Sequence, residues 1–475
     1  MNASAENDTI VAVATPPGRG GLGIVRLSGA EAAAIARAIL SDPPGAAGQR
    51  EWTPRRVRRM LFLDPEMPPQ AAVALEEALV TYFAAPHSYS GEDVVEIAAH
   101  GSPPLLAALL EAARRRGARL AEAGEFTRRA FLHGRLDLTQ AEAVRDLIAA
   151  QTLLQARAAA RQLQGAVAAG LAPLKRQLLE FIARLEAGID FADDDVTVMG
   201  AAALADALAA LHRAGATALE DFQRGRLVRE GLALAILGRP NVGKSSLFNR
   251  LLGSDRAIVT ASPGTTRDLV AETCDLDGIP FRLVDTAGIR NGQGEAERLG
   301  IAKSWEAGAE ADVVLAVFDG SSALLAEDTA LLARLAAWPC LLPVLNKCDL
   351  PRRLDLGQLT AAIAASGREL PTEPAREVSA LTGAGLADLR RQIRSAVLPA
   401  AAEEGAWLTN ARHADRLQAF LVAVADAQAS HANAMPHEAL LVDLHRGRRE
   451  LDAITGQTDI EDILGMIFST FCVGK

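Results

Sequence analysis

Cysteine is scarce in this sequence, with four residues among 475. Cys274, Cys340, Cys348 and Cys472 form no C-x-x-C pair and no regular spacing, so neither a disulfide framework nor a zinc site is predicted. No run of eighteen apolar residues is free of charge and proline, which excludes a predicted membrane span. The opening residues lack the basic start and apolar core of a signal peptide, so we expect a cytoplasmic protein.

Basic charge is also limited, since no lysine precedes Lys175 and the formal net charge is −10. This balance argues against a chain that binds nucleic acid non-specifically over its whole surface. Any RNA contact must therefore be local, although the arginine-rich stretches are equally explained by compositional bias. The candidate arginines are Arg55, Arg56, Arg58, Arg59, Arg114, Arg115, Arg116, Arg128 and Arg129.

The most informative stretch is GRPNVGKSS, residues 238–246. It follows an apolar run and precedes a helix-like segment, which is the strand-to-helix context that a phosphate-binding loop requires. Gly238 and Gly243 allow backbone N–H groups to converge on phosphate oxygens. Lys244 can reach the β- and γ-phosphates, and the Ser245 hydroxyl can hold a magnesium ion.

Four further motifs follow in a fixed order: GTTRD at 264–268, DTAG at 285–288, NKCD at 346–349, and Ser379 with Ala380. Three apolar runs, at 281–284, 313–318 and 341–345, predict parallel strands of a doubly wound sheet. Asp349 can accept from both the ring N–H and the exocyclic amine of guanine. The ordered set therefore predicts a GTPase domain that prefers GTP to ATP.

The first third of the chain predicts a mixed α/β unit. Two strands are expected between residues 9 and 27, a helix over 30–40 and a strand over 79–83. The loop HSYSGED, 87–93, is unusually polar, and Glu92 or Asp93 caps an element, binds a small polar ligand or belongs to a solvated turn. In the later stretch GEFTRRAFLHGRLD, Phe126 and Phe131 are expected to pack in the core.

Residues 138–228 and 409–465 are almost entirely helix-compatible, and Pro173 is expected to open a helix. The economical interpretation is one helical domain built from two separated segments, with the GTPase domain inserted between them. The predicted fold class is thus α/β and α: an N-terminal α/β domain, a discontinuous helical domain, and an inserted, doubly wound P-loop GTPase domain.

The stretches TPPGRGGLGIVRLSG, SYSGEDVVEIAAHG and GEFTRRAFLHGRLDLTQAEAV, with the inserted GTPase domain and the terminal C-x-G-K, closely resemble the MnmE (TrmE) family of tRNA-modification GTPases. The resemblance covers essentially the whole chain. It implies an N-terminal folate-binding and dimerisation domain over 1–125, a helical domain over 126–228 and 400–475, and a GTPase domain over 229–399.

The resemblance further implies a 5-formyl- or methylene-tetrahydrofolate as the one-carbon source. The matching folate contacts are Arg26, Glu92, Arg135 and Lys475, where cations suit the glutamate tail and a carboxylate suits the N–H donors of a pterin. The family forms a homodimer and acts with an FAD-containing MnmG-type flavoprotein in a heterotetramer. Together they add an aminomethyl or carboxymethylaminomethyl group to C5 of the wobble uridine of certain tRNAs.

The predicted GTP site combines the motif residues with their matches in the family. Magnesium ligands would be Ser245 and Thr266, with Asp285 acting through water, and potassium ligands Asn241, Thr260, Ser262 and Thr265. The full set of predicted GTP-binding residues is Asn241, Val242, Gly243, Lys244, Ser245, Ser246, Thr260, Thr265, Thr266, Asp285, Thr286, Ala287, Gly288, Asn346, Lys347, Asp349, Ser379, Ala380 and Leu381.

Ile289 occupies the position where many small GTPases carry the glutamine that orients the attacking water. Arg267 and Arg290 are either an arginine finger or solvated surface residues. The resemblance implies a potassium ion in place of an arginine finger, whereas Asn241 alone could simply brace its loop. Glu297 matches the family's catalytic glutamate, with Glu295 as a competing carboxylate. Cys472 matches the terminal cysteine, whose role the sequence does not fix.

An alternative is a ribosome- or RNA-assembly GTPase that performs no modification chemistry. Such a protein is expected to carry a basic RNA-binding appendage, for example a KH domain with G-x-x-G. The sequence after residue 398 is instead helix-compatible and carries charges of both signs.

Overall fold

A computed structural model of the chain describes residues 8–44, 52–64, 67, 73–190, 200–253, 272–276, 278–284, 311–335, 338, 340–366, 375–397, 410–456, 471 and 474. The chain divides into two compact units, residues 1–145 with 452–475 and residues 146–451. The finer division into three domains stays a prediction. Among the described helices, none combines the length and apolarity needed to cross a bilayer.

The described part of the first unit contains a seven-stranded sheet in the order β3-β4-β5-β6-β2-β1-β7. Neighbouring strands are antiparallel, except β1 and β7, which are parallel. The two strands predicted near the start are confirmed, whereas the strand predicted over 79–83 begins earlier because its first half pairs with β4. The strands are β1 (Ile10–Val13), β2 (Gly20–Ser28), β3 (Leu40–Ser41), β4 (Val57–Leu63), β5 (Ala74–Phe83), β6 (Val94–Gly101) and β7 (Arg119–Leu120).

Two helices, α1 (Ala32–Ile39) and α2 (Pro103–Arg115), cover this sheet. Alternate residues of β2, β5 and β6 point into a shared apolar core with both helices, as the period of two in a half-buried strand requires. A third helix, α3 (Glu125–Leu132), begins after Gly124, whose left-handed conformation ends the preceding segment. Phe126 on α3 is fully buried and Phe131 packs against a second cluster, which confirms both as core residues.

Outside the first sheet and the nucleotide-binding part, the described chain consists mainly of long helices, as the composition predicts. The prediction for Pro173 is wrong, because this residue lies inside α6 and the helix begins seven residues earlier, at Ala166. Helix-forming residues on both sides, and burial of Leu171, Leu174 and Leu178, carry the helix through the proline. The helices are α4 (Leu138–Ala149), α5 (Leu153–Leu163), α6 (Ala166–Asp190), α7 (Ala201–Glu230), α12 (Ala411–Ala432) and α13 (His437–Thr455).

The described part of the second unit contains a six-stranded sheet in the order β13-β12-β11-β8-β10-β9. All neighbours are parallel except β9 and β10, so the parallel strands predicted from the three apolar runs are confirmed. Helices fill both faces, which explains why β8, β11 and β12 are buried along their whole length. The elements are β8 (Leu232–Leu237), α8 (Lys244–Gly253), β9 (Glu272–Leu276), β10 (Ile279–Val284), β11 (Val313–Asp319), α9 (Ala326–Leu335), β12 (Leu341–Asn346), α10 (Leu356–Ala365), β13 (Arg376–Glu377) and α11 (Leu386–Val397).

Candidate functional site

The loop between β8 and α8 has the backbone that phosphate binding requires. A Cβ atom built on Gly238 would lie 2.5 Å from the Val317 carbonyl oxygen, so only glycine allows this approach to β11. Gly243 has φ +96°, and a Cβ atom there would lie 2.2 Å from Nδ2 of Asn346. The loop runs directly into the N-terminus of α8, where free N–H groups and the helix dipole favour an anion.

Lys244 lies within this loop rather than extending away from it. Its Nζ atom donates to the carbonyl oxygens of Gly238 and Arg239, both at 2.9 Å. Burial lowers the pKa of Lys244. The ammonium group is therefore held against the loop between β8 and α8. There, a phosphate oxygen would replace one of the two carbonyl oxygens as its hydrogen-bond acceptor.

Asn346 joins three of the predicted motifs. Its Nδ2 donates to the Val242 carbonyl at 2.8 Å, and its Oδ1 accepts from the Ala380 backbone N–H at 3.0 Å. The side chain is buried, so both bonds are shielded from water. Buried Ser379 supports the third motif, because its Oγ accepts from the backbone N–H of Thr382. The loops predicted to bind the base and the phosphates are thus fixed to each other through one amide.

Three further predicted nucleotide residues in the described part lie at the surface. Asp349 and Leu381 are exposed, as is Asn241, which adopts φ +62° on the phosphate loop. Ser245 lies in the first turn of α8, at half burial, where a hydroxyl oxygen suits a magnesium ion beside a bound phosphate. Asn241 and Ser245 are the described members of the potassium and magnesium ligand sets that the resemblance implies, and both assignments stay predictions.

Many predicted residues fall outside the described part of the chain, and their assignments stay predictions. They are Thr260, Ser262, Thr265, Thr266, Asp285, Thr286, Ala287, Gly288, Glu297, Cys472 and Lys475.

In the first unit, Arg26 lies on β2 beside a residue near the end of the chain. Its Nε donates to Glu96 at 2.9 Å, and its Nη1 donates to the Gly474 carbonyl at 3.3 Å. The guanidinium carbon also lies 5.5 Å from the ring centroid of Tyr89, a favourable cation–π distance. Arg26 thus connects the sheet, the polar loop 87–93 and the segment that carries Gly474.

Glu92 is held firmly and does not belong to a solvated turn. Its carboxylate accepts from the Ser28 hydroxyl at 2.6 Å and from Nη1 of Arg129 at 3.1 and 3.2 Å. Its side chain is only 13% exposed. Arg135 is exposed, and a Cβ atom built on Gly91 would lie 3.4 Å from its Cγ. The structure thus brings the three described folate candidates, Arg26, Glu92 and Arg135, around one loop.

The sequence reasoning missed a network of ions behind Glu92. Arg129 is 7% exposed and contacts Asp8, Glu92 and Glu125, while Arg119 pairs with Asp8 and Glu125. Burial acts to raise the pKa values of Asp8 and Glu125, but hydrogen bonds from the two arginines outweigh it and lower both. Two guanidinium groups thus face three carboxylates, which leaves the cluster with an excess negative charge.

Several arginines proposed as local RNA contacts have carboxylate partners. Arg129 belongs to the buried network, and its proposed availability to RNA is therefore wrong. The more exposed pairs are Arg58 with Asp42, Arg59 with Glu77, and Arg114 and Arg115 with Glu111. The sequence alone does not indicate which of two adjacent arginines is buried and which is exposed.

Comparison with known proteins identifies the family. The family model for the MnmE helical domain matches residues 138–472, and the model for the N-terminus of GTP-binding protein TrmE matches residues 9–135. A tRNA modification GTPase MnmE of Koribacter versatilis is 50% identical over 470 residues, covering 99% of both chains. The same-named protein of Heliobacterium modesticaldum is 43% identical over 476 residues, covering 98% of this chain and 99% of that one.

Among solved structures, the G domain of the T. maritima FeoB iron transporter matches 35% of this chain and 99% of its own length, at 26% identity and a TM-score of 0.26. The two family models together reach from residue 9 to residue 472, and the relatives match at full length. This chain belongs to the MnmE family of tRNA modification GTPases.

Proposed function

We propose that this protein is a potassium-dependent GTPase that modifies C5 of the wobble uridine in certain tRNAs. It acts in the cytoplasm with an FAD-containing flavoprotein of the MnmG type, and it uses a one-carbon unit from 5-formyl- or methylene-tetrahydrofolate. The group added is aminomethyl or carboxymethylaminomethyl. GTP hydrolysis and a role in tRNA modification follow from membership of the family. The observation that carries the proposal is Asn346, which fixes the phosphate loop to the base-recognition loops.

The nucleotide site supports hydrolysis as follows. The N–H groups at the start of α8 and the Lys244 ammonium bind the phosphates, and Ser245 supplies the hydroxyl that suits magnesium. Ile289 has no polar group with which to align a water molecule. A potassium ion against Asn241 would supply positive charge where charge develops on the phosphate oxygens. Glu297 is proposed to position water when two GTPase domains meet.

The first unit supports folate binding through charge and geometry. The Glu92 carboxylate retains acceptor capacity beyond its bonds to Ser28 and Arg129, which suits the N–H donors of a pterin. Arg26 and Arg135 supply cations for carboxylates of the glutamate tail, and Lys475 would add a third. Cys472 has no role that these contacts define.

The outer face of β4 and β5 supports a homodimer through the N-terminal unit. Val57, Leu75 and Leu79 lie on this face, and between 46% and 62% of each is exposed. Apolar side chains clustered on a sheet face are typical of an interaction surface. Two such dimerised chains with two flavoprotein subunits would form the proposed heterotetramer.

The potassium requirement gives a direct test. We expect GTP hydrolysis to be about 10-fold faster or more in potassium chloride than in sodium chloride at equal ionic strength, because only the fitting cation offsets charge in the transition state. Replacing Asn241 by glycine keeps the left-handed backbone and removes the side-chain ligand, so this preference should be lost. Asn249→Ala, on the exposed surface of α8, should retain it. Equal wild-type rates in the two salts would support the alternative, an RNA-assembly GTPase.

A second test concerns Gly474, which has φ +98° and whose added Cβ atom would lie 2.4 Å from the Val13 carbonyl oxygen. We expect Gly474→Ala to displace this segment from Arg26 and to weaken binding of 5-formyl-tetrahydrofolate by about 10-fold, measured by titration calorimetry. Gly117→Ala is the control, because Gly117 also has a positive φ but no atom within 4 Å of the added Cβ. If the two variants bind alike, the terminal segment takes no part in the site.

A further inference from the structure

Asp319, the last residue of β11, has no assigned role, yet it lies beside the base-recognition loop. Its carboxylate accepts from Nζ of Lys347 at 2.7 Å, and from the backbone N–H and hydroxyl of Ser321 at 2.9 and 2.6 Å. Burial acts to raise the pKa of Asp319, but the bonds from Lys347 and Ser321 outweigh it and keep the pKa below its ordinary value. Asp319 is therefore a charged acceptor with few free lone pairs.

The parallel register explains why these groups meet. Asp319 and Asn346 are paired across β11 and β12, and the Gly320 N–H donates to the Asn346 carbonyl at 2.8 Å. Lys347 then turns out of the strand with φ +66°, a conformation that costs free energy in any residue with a side chain. The ion pair with Asp319 is formed with Lys347 in this conformation.

The same cluster reaches the phosphate loop through Arg239. Nη2 of Arg239 donates to the Ser322 hydroxyl at 2.6 Å and lies 3.9 Å from the Asp319 carboxylate. Its Nε lies 3.4 Å from Asp328, which is almost fully buried. The acidic end of β11 thus contacts both the residue after Gly238 and the lysine of the NKCD motif.

Two residues after Lys347, Asp349 is exposed and has no hydrogen bond or ion pair within the described residues. The side chains of Asn346 and Lys347 are both used to fix the turn, and that of Asp349 is left to bind a base. A carboxylate accepts from both the ring N–H and the exocyclic amine of guanine only when its plane is correctly oriented.

We propose that Asp319 is a positioning residue for guanine recognition. It holds Lys347, and thereby the turn over 346–349, so that Asp349 meets both guanine donors at once. The inference rests on the proposed binding of guanine by Asp349. Asp319 itself touches no part of the nucleotide.

The test compares GDP with IDP, because inosine lacks only the exocyclic amine of guanosine. Wild-type protein should bind GDP more tightly than IDP, because only the exocyclic amine of GDP can donate a second hydrogen bond to Asp349. In Asp319→Asn we expect GDP affinity to fall by about 10-fold and IDP affinity by much less, so that the ratio of the two falls by about 5-fold. A role in stability alone would lower both affinities equally. Calorimetric titration of the full chain gives both constants.

Two further variants separate the possible failures. Asp349→Ala should bring the GDP-to-IDP ratio close to one, and an unchanged ratio would mean that Asp349 does not read the base. If Asp349→Ala lowers the ratio and Asp319→Asn does not, the positioning role is overturned. Asp312→Asn is the matched control, since Asp312 precedes the same strand and accepts from the Ala233 N–H at its opposite end. It should keep the wild-type ratio.

A double-mutant comparison tests the route through Lys347. If Asp319 acts by holding Lys347, the variant carrying Asp319→Asn and Lys347→Met should have the same ratio as Lys347→Met alone. Additive losses in the ratio would contradict the proposal. Should Asp319→Asn prove unstable, Ser321→Ala removes one donor to Asp319 and should lower the ratio by a smaller factor in the same direction.

Discussion

Replacing Gly243 by alanine is expected to weaken binding of GDP and GTP by about 100-fold. The new methyl group would lie 2.2 Å from Nδ2 of Asn346, and the residue would retain φ +96°, which alanine rarely adopts. Either the phosphate loop shifts or the Asn346 amide leaves its partners, Val242 and Ala380. Both changes separate the loops that must bind one nucleotide together. Titration with a fluorescent GDP analogue measures the loss.

The control is Gly253→Ala at the end of α8. No atom lies within 4 Å of a Cβ atom built there, and alanine favours the helix. This variant should bind nucleotide as the wild type does. Wild-type affinity in Gly243→Ala would show that the contact with Asn346 is not needed for binding.

Replacing Arg129 by methionine is expected to destabilise the first unit by about 3–5 kcal/mol at neutral pH, because it removes one partner of a buried ion network. Asp8 and Glu125 would then share Arg119 alone, and the Glu92 carboxylate would keep only its bond from the Ser28 hydroxyl. Hydrogen exchange in β1 and β2 of the full chain reports the local free energy of opening. Folate binding should fall with it, since Glu92 would lose its orientation.

The stability that this ion network contributes is expected to fall as the pH is lowered. The arginines hold the pKa values of Asp8 and Glu125 below their ordinary values, so these carboxylates contribute stability that is present above about pH 4 and lost as the pH falls through their folded values. The Arg129→Met variant should therefore differ most from the wild type at neutral pH. The difference should shrink in acid, where protonated carboxyls need no guanidinium partner.

Arg128→Met provides the matched control, because Arg128 is the neighbouring residue and forms no ion pair within the described part of the chain. It should change the opening free energy by less than about 0.5 kcal/mol. If both arginine variants behave alike, or if the Arg129→Met defect is independent of pH, the buried network does not stabilise the unit.

The nucleotide-binding fold could be predicted because its signals are local. A phosphate loop occupies nine consecutive residues, and the buried parallel strands are continuous apolar runs that end at the motif residues. The order of the motifs along the chain then determines the order of the loops. Local spacing also indicated the polar loop 87–93 as a candidate site.

The remaining features depend on contacts between distant residues. Arg129 and Asp8 are separated by 121 positions, and Arg26 and Gly474 by 448. No local pattern distinguishes Arg129 from Arg128, because burial depends on which face of a short helix meets the sheet. Likewise, the ion pair between Lys347 and Asp319 depends on the pairing of β11 with β12. Pro173 shows the opposite case, in which packing overrides a local preference.

The two segments of the first unit have a consequence for biosynthesis. Residues 1–145 and 452–475 belong to one compact unit, and Gly474 lies against Val13 and Arg26. A ribosome adding about 5–20 residues per second needs roughly 15–60 s to translate the intervening stretch. During that interval the seven-stranded sheet lacks the contacts that Gly474 makes with Val13 and Arg26. The nucleotide-binding part can already fold in the same interval. The part of the protein that is translated first is thus among the last to be completed.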